Sequence, residues 1–287
     1  MKYAFIHTVR AEHTLSRLCR VLGASSSGYP QWRHRGERSA RAARREQIDR
    51  RGRETFEAKK GRYGAPRLAR ELGRQGFPIN RKSVAASLSR QGLRARARRR
   101  FRATTYSKHD LPISPDLLEQ DFSAAAPNEK WVQDITYLWS EEGWSYLAVV
   151  IELYSRRVIG WSLERTMTAE LVCSALSMAM DARGNPRGVI VHSDRGSQYC
   201  SKAFRALLER GGHRQSMSRK GCCHDNACAE SFFHSMKVEA VHGELISTSA
   251  ALQRIVFEYI ELEYNQDRLH STLGYVSPQE FELAAVA

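Results

Sequence analysis

The sequence predicts an α/β protein, with a mixed-sheet core in the second half of the chain preceded by small all-helical, strongly basic segments. Three observations carry this. Charge is divided unevenly, with 27 Lys and Arg against 7 Asp and Glu over residues 1 to 100, and 18 against 24 over residues 101 to 287. Apolar residues recur at helical spacing in the basic front and at strand spacing from Lys130 onward. From there the elements read as three strands, helix, strand, helix, strand, helix, which suits a mixed layer sandwich and not a parallel doubly wound sheet.

A chain of 287 residues exceeds the usual ~100–200 residues of one domain, so more than one unit is expected. Five segments follow from composition: a helical basic segment at 1–58, a helix-turn-helix at 59–103, a linker at 104–122, the acid-bearing core at 123–245, and a C-terminal helix and tail at 246–287. No apolar run approaches the ~18–20 residues needed to cross a bilayer. The opening MKYAFIHTVRAEH returns to charge too soon for a secretory signal. The expected location is therefore the cytoplasm, in association with the nucleoid, where six cysteines stay reduced. A net charge of +14, concentrated in the front, attracts a polyanion and releases its counterions, so double-stranded DNA is the expected partner.

In LSRLCRVL, Leu15, Leu18, Val21 and Leu22 share a helical face, and the SSSGYPQW that follows reads as a turn and a second short element. The stretch HRGERSARAARREQIDRRGRE is too charged to bury a face and reads as a solvated helix or linker. Beyond Tyr63 the pattern sharpens. Pro66 suits a first helical turn, Leu68 and Leu72 share a face, Gly73 to Pro78 interrupts, Asn80 makes an N-cap, and Val84 and Leu88 point inward before Gly92 closes the helix. This helix-turn-helix has Arg81 and Lys82 at the start of its second helix, and Arg94, Arg96, Arg98, Arg99 and Arg100 beyond it; these are the candidate DNA contacts. Pro112 and Pro115 mark the linker.

WVQDITYLW is the first strand, with Val132, Asp134, Thr136 and Leu138 on one face. SYLAVVIELYS and RVIGWSL follow as antiparallel neighbours. Thr168 caps a helix with Leu171, Val172, Ala175, Leu176 and Ala179 on one side. GVIVHSD is a short buried strand, SKAFRALLERGG a helix and HRQSM a last strand. Three acids stand out in this frame. Asp134 lies inside a strand, where an unpaired carboxylate is expensive. Asp194 follows a buried strand, at the end where α/β sheets bind ligands. Glu230 opens the helix after SRKGCCHDN. Each has an ordinary reading as a surface, turn or helix-start acid, but together they are spaced with 59 and then 35 residues between them.

WVQDITYL, VIVHSDRGSQY and DNACAESFFHSMKVE resemble the three catalytic blocks of the DDE transposase and retroviral integrase superfamily. More closely, the chain resembles the second-reading-frame transposases of the "insertion sequence three" family, through YNQDRLHSTLGYVSPQEFE, LCRVLGASSSGYPQW and the helix-turn-helix. The resemblance implies a ribonuclease-H-like, integrase-type core with Asp134, Asp194 and Glu230 as catalytic residues and metal ligands. It also implies DNA cleavage and strand transfer at insertion-sequence ends, a homo-oligomer on DNA, and an upstream-frame product or fusion as a possible partner.

Three converging carboxylates repel one another unless divalent cations neutralise them. Oxygen ligands suit Mg²⁺ or Mn²⁺, two per site for in-line phosphoryl transfer, with water or a DNA 3′-hydroxyl as nucleophile. Lys237, seven residues after Glu230, could hold a phosphate beside them. A triad of His192, Ser193 and Asp194 is excluded because adjacent strand residues do not point together. Gly196, Gln198 and Asn226 shape loops, His234 stands one turn from Glu230, and Tyr264, Asn265, Arg268 and His270 have no role the sequence reveals. A zinc site would need two ligand pairs, but Cys222, Cys223 and His224 are contiguous and Cys228 stands alone, so the cysteines read as bystanders and Asp225 as a competing acid. A non-catalytic DNA-binding regulator would leave the acids without purpose, and a hydrolytic nuclease of the same fold would leave the front and tail unexplained.

Overall fold

The structure, a computed structural model, describes residues 1–96, 111–219 and 226–286. The expectations placed on Arg98, Arg99, Arg100, Cys222, Cys223, His224 and Asp225 lie outside these residues. Two compact units form, Met1–Arg96 and Ala97–Ala287. No helix among the described residues is long and apolar enough to cross a membrane.

In the first unit, α1 (Lys2–Val9) and α2 (Leu15–Val21) are short, and α3 (Gly28–Ala58) runs for 31 residues. The short second element expected at SSSGYPQW is thus corrected: it is the start of α3, and the charged stretch behind it continues the same helix. Pro30 sits in the first turn, no further proline occurs before Pro66, and a run rich in Ala, Arg, Glu and Gln has high helix propensity whatever it buries. Ile6, Leu18, Cys19 and Tyr29 make a small core between the three helices. The end of α3 packs on α4 (Ala65–Arg74) and α5 (Arg81–Arg90). Here the sequence reading holds in detail. Pro66 lies in the first turn of α4, Leu68 and Leu72 are fully buried, and the Asn80 side chain accepts from Ser83 N at 2.8 Å. Asp49 of α3 accepts from Ser87 Oγ at 2.6 Å and from Arg90, whose guanidinium holds the Asp49 carboxyl below its usual range. Arg81, Lys82, Arg94 and Arg96 are all exposed.

The second unit is built on five strands, β1 (Lys130–Ser140), β2 (Gly143–Glu152), β3 (Val158–Glu164), β4 (Ile190–Ser193) and β5 (Arg214–Met217), in the order β3-β2-β1-β4-β5. β1, β2 and β3 are antiparallel neighbours, while β4 runs parallel to β1 and β5 parallel to β4. Helices α6 (Ala169–Ala182), α7 (Lys202–Gly211) and α8 (Ala227–Met236) follow β3, β4 and β5, in the expected sequence. Thr168 occupies the N-cap of α6, but its side chain bonds Glu170 and caps no backbone N–H.

Both faces of the sheet are covered, which explains the unbroken apolar run of β2. Leu147, Val149 and Ile151 join Val132 and Leu138 against α8 and α9 (Ser249–Phe257). Ala148 and Val150 join Trp131 against α6 and α7. Residues 111–122, part of the expected linker, lie along β5, where Met217 N donates to Pro115 O and Leu117 N to Ser216 Oγ. This strap satisfies an edge strand that would otherwise be open.

Gly160 of β3 is where α6 comes closest. A Cβ there would stand 2.2 Å from Ala175 O and 2.7 Å from Ala179 N, both backbone atoms that cannot rotate away. Gly160→Ala is therefore expected to destabilise the second unit by about 3 kcal/mol. Chemical denaturation measures it, and a midpoint equal to that of the parent would refute the close approach.

Candidate active site

The parallel register between β1 and β4 positions the first two acids. Lys130 pairs with Ile190, Trp131 with Val191 and Val132 with His192. Two residues beyond the last of these pairs, Asp134 is still within β1 and Asp194 follows directly on the end of β4, near enough for its charge to act on Asp134. Each acid is steadied by its own backbone: Ile135 N donates to Asp134 Oδ1 at 2.8 Å, and Gly196 N to Asp194 Oδ1 at 2.9 Å. A Cβ on Gly196 would stand 3.0 Å from Asp194 Oδ1 and 2.9 Å from Gln198 Oε1, so a larger residue here would push on the Asp194 carboxyl and the Gln198 side chain.

Glu230 lies exposed in the first turn of α8, whose Ala229, Phe232 and Phe233 pack into the core shared with β1 and β2. Burial pushes the Asp134 carboxyl well above its usual pKa, and the negative charges of Asp194 and Glu230 push it further. The three acids therefore share one electrostatic field. Among the described residues, no three His, Cys, Asp or Glu side chains are grouped so as to hold a metal ion. The donor chemistry, oxygen only, fits a hard divalent cation.

Lys237 is not the exposed residue that its position seven after Glu230 allows. The helix widens into a π-helical turn at Lys237–Val241, and Lys237 is 8% exposed with Nζ 4.5 Å from the centre of the Tyr137 ring. Burial lowers its pKa to about 8, with Asp134 acting in the opposite sense. Tyr199 was missed by the sequence reading. Its hydroxyl is buried without a hydrogen-bond partner, and burial together with Asp134 and Asp194 raises its pKa. Only its place in SDRGSQY hinted at it.

The His192 triad is excluded in space as well. Its Nδ1 meets Ser216 Oγ at 2.8 Å and its Nε2 meets Ser218 Oγ at 3.2 Å, while Ser193 Oγ donates to Asp194 O. Cys19, Cys173, Cys200 and Cys228 are free thiols, and Cys228 Sγ accepts a hydrogen bond from Arg156. The tail residues brace α8. Tyr264 packs edge-on against Phe232, and Arg268 bonds Glu239 and Ser235. Asn265 takes Val158 N at 3.0 Å and gives to Val158 O at 2.9 Å at the start of β3.

The integrase core domain family matches residues 124–223 and 230–284, and an HTH-like domain family matches residues 43–101. The transposase InsF for insertion sequence IS3A of Escherichia coli (strain K12) is 54% identical over 283 residues, covering 98% of each chain. The chain belongs to the transposase family of insertion sequence IS3. An insertion element IS600 31 kDa protein of Shigella sonnei is 40% identical to this transposase over 264 residues, covering 92% of it and 97% of the Shigella protein. Among solved structures, a chain of the simian T-cell lymphotropic virus intasome in complex with PP2A regulatory subunit B56 gamma superposes on the transposase with a TM-score of 0.47 at 15% identity, over 75% of this chain and 70% of that one. The transposase thus carries a ribonuclease-H-like integrase core behind an HTH-like domain. Similarity to InsF runs from end to end, which favours neither a regulator without catalysis nor a simple nuclease.

Proposed function

We propose that this transposase excises and joins the ends of its insertion sequence with Asp134, Asp194 and Glu230 holding two Mg²⁺ or Mn²⁺ ions. The observation that carries the reading is the buried Asp134 side chain, two residues past the last β1–β4 pair and under the charge of both Asp194 and Glu230. Held by Asp134, Asp194 and Glu230, such ions would supply charge stabilisation to the attacking and leaving oxygens of an in-line displacement at phosphorus. The backbone N–H groups of Ile135 and Gly196 each hold one oxygen of an aspartate and so fix how the two carboxylates are turned. Glu230, exposed at the start of α8, completes the ligand set from the solvent side. The Lys237 amine beside Asp134 takes a phosphate oxygen.

Water is the nucleophile that frees a 3′-hydroxyl, and that hydroxyl attacks the target strand. Residues 123–245 carry this chemistry and 59–103 hold DNA, with Arg81, Lys82, Arg94, Arg96, Arg98, Arg99 and Arg100 as phosphate contacts. Pairing two ends calls for a homo-oligomer on DNA, with an upstream-frame product as a further partner, working in the cytoplasm at the nucleoid.

The test is cleavage and strand transfer of a duplex carrying the element's ends. Glu230→Gln and Asp194→Asn are each expected to lose at least about a hundred-fold in rate, roughly 3 kcal/mol of barrier, while still retarding DNA. Chelation of divalent metal is expected to do the same. Full activity in either variant removes that acid from the site.

A further inference from the structure

The Tyr199 side chain is fully buried, yet its hydroxyl has no hydrogen-bond partner among the described residues. Most buried hydroxyls are satisfied, so an exception calls for an explanation. The ring itself is fixed from several sides. It packs edge-on against Phe204 of α7 with centres 5.4 Å apart, Tyr199 N donates to Gly196 O at 3.0 Å, and Gln215 of β5 donates to Tyr199 O at 2.8 Å. A Cβ on Gly196 would stand 3.5 Å from Tyr199 Cδ2 and 3.0 Å from Asp194 Oδ1, so one small gap separates the ring edge from that carboxylate. β4 ends at Ser193 and accompanies β1 only as far as Val132. No strand therefore closes the sheet between Asp134 and the turn that carries Asp194 and Tyr199. The hydroxyl lies in the field of both acids, and burial together with their charges, Asp134 ahead of Asp194, keeps it protonated and thus a donor.

We propose that Tyr199 is a positioning residue of the metal site, its hydroxyl donating a hydrogen bond to the Asp134 carboxylate when a divalent cation is held there. This rests on the catalytic reading above and deepens it with a residue that acts through a ligand. A carboxylate that ligates a cation keeps lone pairs to spare, and hydrogen bonds to them fix its attitude. Ile135 N holds one Asp134 oxygen from within β1. Tyr199 adds a donor anchored elsewhere, on α7 and β5. Because the same turn presents Asp194, whose Oδ1 accepts from Gly196 N, the Gly196–Tyr199 turn sets both aspartates together. The competing acceptor is Gln133 Oε1, which is also buried without a partner. A charged acceptor makes the stronger bond, which favours Asp134.

The test compares the full-length parent with Tyr199→Phe, which keeps the ring and removes only the hydroxyl. Melting is followed in chelator and over a Mn²⁺ titration, with an end duplex present, and strand transfer is measured over the same titration. In chelator the variant is expected to melt at the parent's temperature or above, because the lost O–H had no partner in the chain. The Mn²⁺ concentration for half of the metal-induced rise in melting temperature is expected to increase about ten- to hundred-fold, and that for half-maximal transfer likewise. Transfer is expected to recover at saturating metal. An unchanged metal requirement would overturn the proposal. So would a raised requirement accompanied by a lower melting temperature in chelator, which would assign the hydroxyl to a structural bond such as that to Gln133. Failure of the catalytic reading shows separately, as a parent that Mn²⁺ does not stabilise or an Asp134→Asn variant that responds to Mn²⁺ as the parent does.

Discussion

Asp134→Asn is expected to abolish cleavage and strand transfer, by about a thousand-fold or more, and at the same time to make the metal-free protein more stable. Both effects come from one carboxylate. Asp134 is the acid on which burial, Asp194 and Glu230 all act, so removing its charge removes the centre of the ligand set and also the repulsion at its core. Its pKa is raised in the folded state, so between the ordinary carboxylate range and that raised value the folded chain binds more protons than the unfolded one. Stability therefore falls as pH rises through that window, and above it the charged acid is a net cost. Asparagine keeps an oxygen for Ile135 N and carries no charge. For a unit of this size each ~1 kcal/mol so gained raises the melting temperature by roughly 2–4 °C. Added Mg²⁺ or Mn²⁺ is expected to raise the melting temperature of the parent and scarcely that of the variant. Melting curves between pH 5 and 8, with and without metal, decide it. A parent insensitive to both pH and metal would sink the account.

Local features of this chain were legible because they are local. The alternation of WVQDITYLW survives as β1, with Val132 and Leu138 in one layer and Trp131 in the other. The Asn80 cap, the buried Leu68 and Leu72 and the turn between them follow from neighbouring residues alone. The spacing of Asp134 and Asp194 was visible as a number, but the parallel pairing of β1 with β4 that brings them near each other needed the sheet. Where the reading fell short, distant residues decided the outcome. The first turns of α3 looked short because the sequence there shows no core, whereas Tyr29 finds one on α1 and α2. The face of Lys237 was read on a regular α-helix continuing from Glu230, whereas a π-helical turn begins at that residue and its amine lies over Tyr137. Tyr264, Asn265 and Arg268 were silent because their partners, Phe232, Val158 and Glu239, lie 29 to 107 positions away or on another element.

Those tail contacts set the second large expectation. Arg268 and Glu239 are 8% and 9% exposed at their side chains, bonded at 2.8 and 2.9 Å. Tyr259 donates to the same glutamate at 3.0 Å, and Arg268 reaches Ser235 on α8 at 2.9 Å. Arg268→Met or Glu239→Met alone leaves one charge buried without its partner, a loss of about 3–5 kcal/mol in stability. Replacing both is expected to restore most of it, short of about 1 kcal/mol for the Tyr259 hydroxyl left without its acceptor. A double-mutant cycle on denaturant midpoints measures the coupling, and simple addition of the two single losses would refute it. The same cycle reads function, because Glu239 follows Glu230 on the continuous α8 and π-helical segment. If this pair fixes where α8 presents Glu230, each single variant loses strand transfer at temperatures where it is still folded. The double variant then recovers transfer only as far as apolar packing against Phe232 and Tyr264 can hold α8 without the ion pair.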